Sequence, residues 1–406
     1  MSRKKMNTCP FCFHECEEWA DNWCCPKCNT IVKRDPETGQ LPTKCPHCDD
    51  APETWKVNAE TRYCPDCKSI VPDELEGCDE VFPIAVVGPT RAGKTHLLAV
   101  LAHELLVGGI WEEDYWTAVR VIRRQVVEAQ GTRAIEQADE YLKFDETLYN
   151  PNNPGGRDGT LQGTKKEART YSLLVELRYK DGIFSRFKEP RKKGRILVAF
   201  SDTAGEGFKQ GNWHDVVERY PVFRKKAKAI IAVIDPLELS KLRTEAEARQ
   251  SEYIDAGILP DSEDALPTVT TSDVLSIPAL KKQMQKRPVA WCMTKTDALA
   301  GLGKIDPQTP LGNSLGALEG NDGTRKTSGL ANIMGLKIVS KMTERFIADN
   351  NDGRKLPKYR YHCFFAVDAL GKSFHDGRLH KPGPSPRRIL DPLLWILWQY
   401  GKCGGR

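Results

Sequence analysis

The chain has 406 residues, with 60 Lys and Arg against 55 Asp and Glu and a formal net charge of +5. A chain of this length has room for two or three domains and a sizeable core. The small charge surplus gives no indication of a polyanionic partner. Residues 393–398 form a strongly apolar run that is too short to cross a bilayer, and the first residues lack the apolar stretch of a signal peptide. We therefore expect a cytoplasmic protein with no membrane association.

Eleven of the fourteen cysteines precede residue 79, which marks a separate module. In a reducing compartment such cysteines favour metal sites over disulfides. Four pairs have the form Cys-Pro-x-Cys, with twelve residues between the first two pairs and fifteen between the last two, a spacing typical of Cys₄ zinc sites. We expect two zinc ions per chain, the first bound by the first two pairs and the second by the last two: Cys9, Cys12, Cys25, Cys28, and Cys45, Cys48, Cys64, Cys67.

The cysteine segments also repeat, since residues 25–32 match residues 64–71. Residues 1–79 therefore resemble a tandem zinc ribbon, and zinc is expected to supply much of the folding energy because large apolar residues are few. Further candidate ligands are left over, and a third metal site stays open, although we expect structural roles for them: His14, Cys16, Cys24, His47 and Cys78.

The charge of this module bears on its partner. Residues 1–78 carry ten Lys and Arg against fourteen Asp and Glu, a formal −4, whereas residues 79–406 carry 50 − 41 = +9. Each Cys₄–Zn²⁺ centre adds about −2. An acidic module repels phosphate backbones, so we favour a protein partner over nucleic acid.

Residues 88–95, Gly-Pro-Thr-Arg-Ala-Gly-Lys-Thr, have the form G-x-x-x-x-G-K-[ST] of a phosphate-binding loop. An apolar strand pattern precedes them and a helical pattern follows. Backbone N–H groups and the helix N-terminus would bind phosphate, Lys94 would reach the β- and γ-phosphates, and Thr95 would ligate Mg²⁺. The nucleotide-binding candidates in the loop are Gly88, Arg91, Ala92, Gly93, Lys94 and Thr95.

Two further motifs follow apolar strands in the expected order. Asp202-Thr203-Ala204-Gly205 has the form D-x-x-G, in which Asp202 would hold Mg²⁺ and the Gly205 N–H would contact the γ-phosphate. Thr294-Lys295-Thr296-Asp297 matches the guanine motif [NT]-K-x-D. There Asp297 would accept hydrogen bonds from guanine, and Lys295 would lay its stem along the base.

These motifs predict a Rossmann-like α/β domain over residues 80–406, with a mostly parallel sheet and helices on both faces. Residues 172–179 and 195–200 read as an antiparallel strand pair. We expect helical and loop insertions at about 108–170 and 236–287, with residues 116–144 mostly helical.

The motif order and the antiparallel pair make the domain resemble P-loop GTPases of the translation-factor and Ras-related (TRAFAC-like) class. Within it, the run Asp202–Glu206, the closing Asp391-Pro392-Leu393-Leu394-Trp395 and the zinc-ribbon front resemble the bacterial double-GTPase group of conflict systems. The resemblance implies a GTP/GDP switch that acts on a protein partner through the ribbons or the switch loops. Alternatives are a nucleic-acid-associated NTPase that binds through its ribbons, and a GTP-binding scaffold without turnover.

The resemblance implies roles for three more positions. A first-switch threonine is expected between the phosphate-loop helix and the second strand, where Thr164 or Thr160 is preferred and Thr170 is a further candidate. The Ala369 N–H would read guanine O6, although Asp368 stands where the class has serine. Glu206 replaces the usual glutamine, so we expect it to act on the attacking water, with slow hydrolysis until a partner binds.

Overall fold

The computed structural model describes residues 7–28, 30–32, 35, 38–53, 55–67, 69–89, 91–107, 116–122, 126–128, 131–133, 169–177, 194–202, 227–256, 258–259, 270–275, 277–306, 309, 311, 329–370, 374–375, 378–379 and 386–400. None of the helices in these segments combines the length and the hydropathy that a bilayer span needs.

The cysteine-rich front contains five short strands: β1 Asn7–Thr8, β2 Glu15–Cys16, β3 Ala20–Cys24, β4 Ile31–Val32 and β5 Lys56–Tyr63. Strands β1 and β2 form a ribbon, and β4, β3 and β5 form a sheet in that order. All four Cys-Pro-x-Cys pairs adopt the same turn, in which the N–H of the first cysteine donates to the carbonyl five residues later over 2.7–2.9 Å. The four donor–acceptor pairs are Cys9–His14, Cys25–Thr30, Cys45–Asp50 and Cys64–Ser69.

The strands of the remaining chain are β6 Glu80–Val87, β7 Trp116–Ile122, β8 Val126–Glu128, β9 Gly131–Arg133, β10 Arg169–Leu177, β11 Gly194–Asp202, β12 Ala229–Ile234, β13 Val289–Met293, β14 His362–Ala366, β15 Phe374–His375 and β16 Arg378–Leu379. The helices are α1 Lys94–Val107, α2 Ser240–Ala248, α3 Gln250–Asp255, α4 Thr271–Leu275, α5 Pro278–Met284, α6 Thr296–Gly301, α7 Gly329–Asn350 and α8 Asp391–Gln399. Single 3₁₀ turns lie at Asp73–Leu75 and Pro236–Glu238.

Seven strands form one sheet in the order β14-β13-β12-β6-β11-β10-β7. The five strands from β14 to β11 are parallel, while β10 runs antiparallel to both β11 and β7. Strand β6 lies between β11 and β12. After β6 the chain forms the strands on the β11 side of the sheet and then crosses β6 to reach β12, so the strand order reverses beside β6. Ligands bind at such points in open α/β sheets.

Apolar residues of the central strands bury both faces of the sheet, as near-continuous apolar runs predict. Helices α1 and α8 cover one face, where they pack on Phe82, Ile84 and Val86. Helices α2, α3, α5 and α7 cover the other face. The buried cluster on that face also contains Phe11 and Phe13 of the cysteine module, together with Val81 of β6. The expected α/β fold with helices on both faces and a small cysteine-rich front is thereby confirmed.

The expected helix within residues 116–144 is wrong for the part that is described. Residues 116–122, 126–128 and 131–133 are strands, and β7 extends the main sheet beyond β10. The segment Trp-Thr-Ala-Val-Arg-Val-Ile is rich in β-branched and aromatic residues, which favour a strand. The antiparallel pairing of β10 with β11 agrees with the sequence prediction.

Candidate functional site

The loop of residues 88–95 follows β6 at the carboxyl end of the sheet. It passes so close to β12 that a Cβ on Gly88 would lie 2.4 Å from the Val233 carbonyl oxygen. Gly93 has a φ of +84°, which other residues rarely adopt. The two glycines therefore have steric and conformational reasons for their positions, independent of any motif.

The Lys94 side chain crosses this loop from the first turn of α1. Its Nζ donates to the Gly88 carbonyl over 3.0 Å and to the Pro89 carbonyl over 2.7 Å, and the residue is buried. Burial lowers the pKa of Lys94, while the carboxylates of Asp202, Glu238 and Asp235 oppose that shift. The loop thus places a cation at its centre, whereas Arg91 is exposed and Ala92 is buried.

Thr95 and Asp202 come together from positions 107 residues apart. The Thr95 hydroxyl donates to Asp202 Oδ2 over 3.3 Å. Asp202 ends β11 and is fully buried, and the parallel pairing of β11 with β6 sets it opposite Val86, just before the loop. A hydroxyl and a carboxylate are oxygen donors of the kind that Mg²⁺ accepts.

The segment after β13 contacts the loop directly. The Thr294 hydroxyl donates to the Ala92 carbonyl over 2.8 Å and lies 3.3 Å from the Ile234 carbonyl. Thr294 therefore fixes the distance between the two motifs.

Lys295, in a left-handed conformation with φ +57°, directs its ammonium to Asp235 Oδ2 at 2.9 Å and to the Ile258 carbonyl at 3.1 Å. The Lys295 stem therefore extends towards Asp235, and the Asp235 carboxylate neutralises the charge of the Lys295 ammonium.

Asp297 and Asp368 form a carboxyl pair at the far end of the site. The Asp297 N–H donates to Asp368 Oδ1 over 2.8 Å, and the Thr296 hydroxyl donates to the same oxygen. Burial and the neighbouring Asp368 carboxylate raise the pKa of Asp297, and burial raises the pKa of Asp368. Asp368 thus occupies the position that orients Asp297. The sequence marked Asp368 only as a departure from serine, and Ala369 follows it, partly buried.

A polar network behind the loop was not predicted. Glu238 Oε1 accepts from the Asp235 N–H and from the Thr271 hydroxyl, each over 2.8 Å. The Thr271 hydroxyl oxygen also lies 2.8 Å from the Val233 carbonyl oxygen, the atom that Gly88 approaches. Burial raises the pKa of Glu238 to about 8. In the sequence, the feature that could have indicated this network is Asp235, which follows an apolar strand and precedes a proline.

Four site predictions fall outside the described residues: Thr160, Thr164, Gly205 and Glu206. Thr170 lies in β10, where its backbone pairs with Ser201.

The eight predicted cysteine ligands form two groups, but the expected pairing in sequence order is wrong. The first and fourth pairs form one group, Cys9, Cys12, Cys64 and Cys67, and the second and third form the other, Cys25, Cys28, Cys45 and Cys48. The reason is the antiparallel pairing of β3 with β5, which sets Ala20 opposite Tyr63 and Cys24 opposite Lys56. The end of β5, followed by Cys64, thereby returns to the start of β3 near the first pair.

Both groups fit a tetrahedral zinc ion. The sulfur–sulfur distances are 3.7 Å for Cys9–Cys67 and 3.6 Å for Cys12–Cys64, and 3.7 Å for Cys25–Cys48 and 3.5 Å for Cys28–Cys45. A tetrahedral ion with Zn–S bonds of about 2.3 Å requires about 3.8 Å. Within the described part of the chain, these are the groups of three or more possible ligands, and the remaining cysteines and histidines of the module join neither.

No family model matches the chain, and none of the curated proteins matches it. Among solved structures, the chain is similar to the GTPase-like domain of Ski7 from S. cerevisiae, determined with bound GTP, at 11% sequence identity and a TM-score of 0.30. The match covers 81% of this chain and 51% of that chain, so this chain spans about half of its length.

Proposed function

We propose that the protein is a GTP-binding and GTP-hydrolysing switch. The observation that carries the proposal is the contact of Thr95 with Asp202 beside the Lys94 ammonium, at the carboxyl end of β6. A cation held by loop carbonyls, next to a hydroxyl–carboxylate pair, suits a triphosphate with its magnesium ion. When bound, that ion would neutralise charge between the phosphates, with Thr95 and Asp202 as the residues that hold it.

Guanine preference is assigned to Asp297, with Thr294, Lys295 and Ala369 around the base. An ionised carboxylate accepts from the N1–H and N2–H₂ groups of guanine, whereas adenine has no matching donor pair on that edge. The backbone bond from Asp297 to Asp368 supports this role, because it fixes the direction of the acceptor. The Thr294 contact with Ala92 supports a single ligand that spans both motifs.

The finer parts of the proposal rest on sequence motifs. They are a domain boundary near residue 79, a switch threonine at Thr164 or Thr160 and a γ-phosphate contact at Gly205. The proposal of two bound zinc ions is supported instead by the two groups of four cysteines. We also propose regulation of a protein partner, in a bacterial defence or conflict system of the kind that the motifs of residues 202–206 and 391–395 resemble.

Calorimetry tests the nucleotide assignment. Lys94→Ala should weaken GTP binding by at least about 100-fold, because the β- and γ-phosphates would each lose a charge-assisted hydrogen bond from the Lys94 ammonium. Lys282→Ala, which removes an exposed lysine from α5, should leave affinity within about 2-fold. Retained affinity in Lys94→Ala would exclude the phosphate loop, and equal competition by ATP would exclude guanine recognition. Intact GTP binding without turnover, even with partners present, would favour the scaffold alternative.

A further inference from the structure

A cavity of about 940 Å³ lies at the opposite end of the sheet from the phosphate loop. One wall belongs to the cysteine module, with Phe13 and Trp19, and the other to the start of β6, with Val81 and Pro83. Strand β6 has eight residues, so the cavity and the loop are separated by about 23 Å. We name this cavity the module groove.

The module groove is strongly acidic. Seven carboxylates line it, four from residues 15–21 and three from residues 76–80, against one arginine and one lysine, which leaves 7 − 2 = 5 negative charges. The two cations are already engaged, since Arg62 pairs with Glu76 over 3.3 Å and Lys228 pairs with Glu80. A phosphate-bearing ligand would be repelled, and a cationic one attracted.

The floor of the module groove is apolar and aromatic. Phe13 and Val81 line it and are buried, while Trp19 and Leu75 also line it and are only partly buried. Lysine and arginine stems pack on such surfaces while their charged groups stay near the rim, and an arginine stacks on an indole ring. The volume lies at the upper end of the usual range for ligand pockets, far above what one cation needs.

We propose that the module groove binds a lysine- and arginine-rich segment of a partner protein that inserts one aromatic or large aliphatic side chain against Trp19. Charge complementarity selects the basic segment, and the apolar floor selects the inserted side chain. The binding site involves neither the phosphate loop nor Asp297. This proposal is therefore independent of the proposed nucleotide site and can be tested separately from it.

The test uses the full zinc-loaded chain and a fluorescent synthetic peptide of about twelve residues, rich in Lys and Arg with one central Phe, at about 0.1 M salt. In anisotropy titrations, the double variant Glu17→Lys, Glu18→Lys should bind at least about 10-fold more weakly than the wild type. Both residues are exposed, so folding is expected to persist. The matched control, Glu53→Lys with Asp255→Lys, makes the same charge change at exposed positions outside the groove and should stay within about 2-fold.

Two further arms sharpen the result. Replacing the central Phe of the peptide by Ser should weaken binding several-fold if the apolar floor is used. The proposal would be overturned if the groove and control variants lost peptide affinity equally, or if the Ser peptide bound as tightly as the Phe peptide. Either result would mean that the peptide binds by general charge attraction.

Residues 178–193 of this chain hold seven Lys and Arg against two Asp and Glu, and they precede Arg195, whose N–H donates to Asp79 Oδ2 over 3.0 Å. If the peptide binds only after those seven cations are changed to Gln, the occupant is the chain's own segment, and the proposal of a partner is overturned.

Discussion

Asp297 and Asp368 place two carboxyl groups together where a base would be read. Guanine recognition needs Asp297 ionised, and burial with the adjacent Asp368 raises the pKa of Asp297. GTP affinity should therefore rise as pH increases through that raised pKa, because protonated Asp297 loses its acceptor capacity. Asp368→Asn keeps an oxygen acceptor for the Asp297 N–H but removes the neighbouring charge. We expect its affinity profile, measured by calorimetry between about pH 5 and about pH 8, to shift to lower pH.

The control for this prediction is ATP, whose weak binding should show no matching pH dependence. Superimposable GTP profiles for the wild type and Asp368→Asn would mean that Asp368 does not influence the titration of Asp297.

Glu206 supports a second prediction at the scale of a single residue. An ionised glutamate cannot donate a hydrogen bond, so partner-free hydrolysis should be slow, and an arginine from a partner should raise the rate by about 10³–10⁵. Glu206→Ala should lower single-turnover hydrolysis by about 10²-fold, the lower end of the usual range for loss of a positioned base. GTP affinity, measured on the same samples, should be unchanged. Fast partner-free turnover, or a variant as active as the wild type, would count against this role.

The nested cysteine groups give a prediction at the scale of elements. Cys12→Ser with Cys64→Ser should remove one zinc ion, because both residues belong to one group. Cys12→Ser with Cys45→Ser should remove two, one from each group. If the pairs were grouped in sequence order, Cys12→Ser with Cys64→Ser would instead remove both zinc ions. Zinc analysis of the purified variants, with circular dichroism to confirm that the rest of the chain is folded, distinguishes the two arrangements.

Local sequence predicted several elements well and long-range pairing poorly. The apolar strands before Gly88, Thr294 and Asp368 follow from continuous buried runs, and these runs also place the motifs at one edge of the sheet. The cysteine pairing was missed because spacing alone is compatible with either arrangement, and the choice depends on β3 pairing with β5. The strand at 116–122 was missed because its partner β10 lies about 50 residues later.

Local pattern likewise left the Asp235–Glu238–Thr271 network unpredicted. Its members lie up to 36 residues apart, and no motif joins them.

At the scale of the whole molecule, the cysteine module shares buried apolar residues with one face of the main sheet. A zinc-selective chelator should therefore lower the thermal unfolding temperature of the whole chain by on the order of 5 °C, since Phe11 and Phe13 lose their support. GTP affinity, measured with magnesium present, should stay within about 2-fold, because the module packs at the other end of the strands. The variant Cys12→Ser with Cys45→Ser is the genetic counterpart. A loss of GTP binding from this variant while it stays folded would contradict the separation.

The nested order of the two cysteine groups also predicts an order of metal uptake. The inner group closes a loop of 23 residues, from Cys25 to Cys48, and the outer group one of 58 residues, from Cys9 to Cys67. Closing the longer loop in a disordered chain costs about 0.8 kcal/mol more conformational entropy, so we expect the inner group to bind zinc first. Once bound, that ion holds β3 beside β5 and shortens the path that the outer group has to close. We therefore expect binding at the inner group to raise the zinc affinity of the outer group.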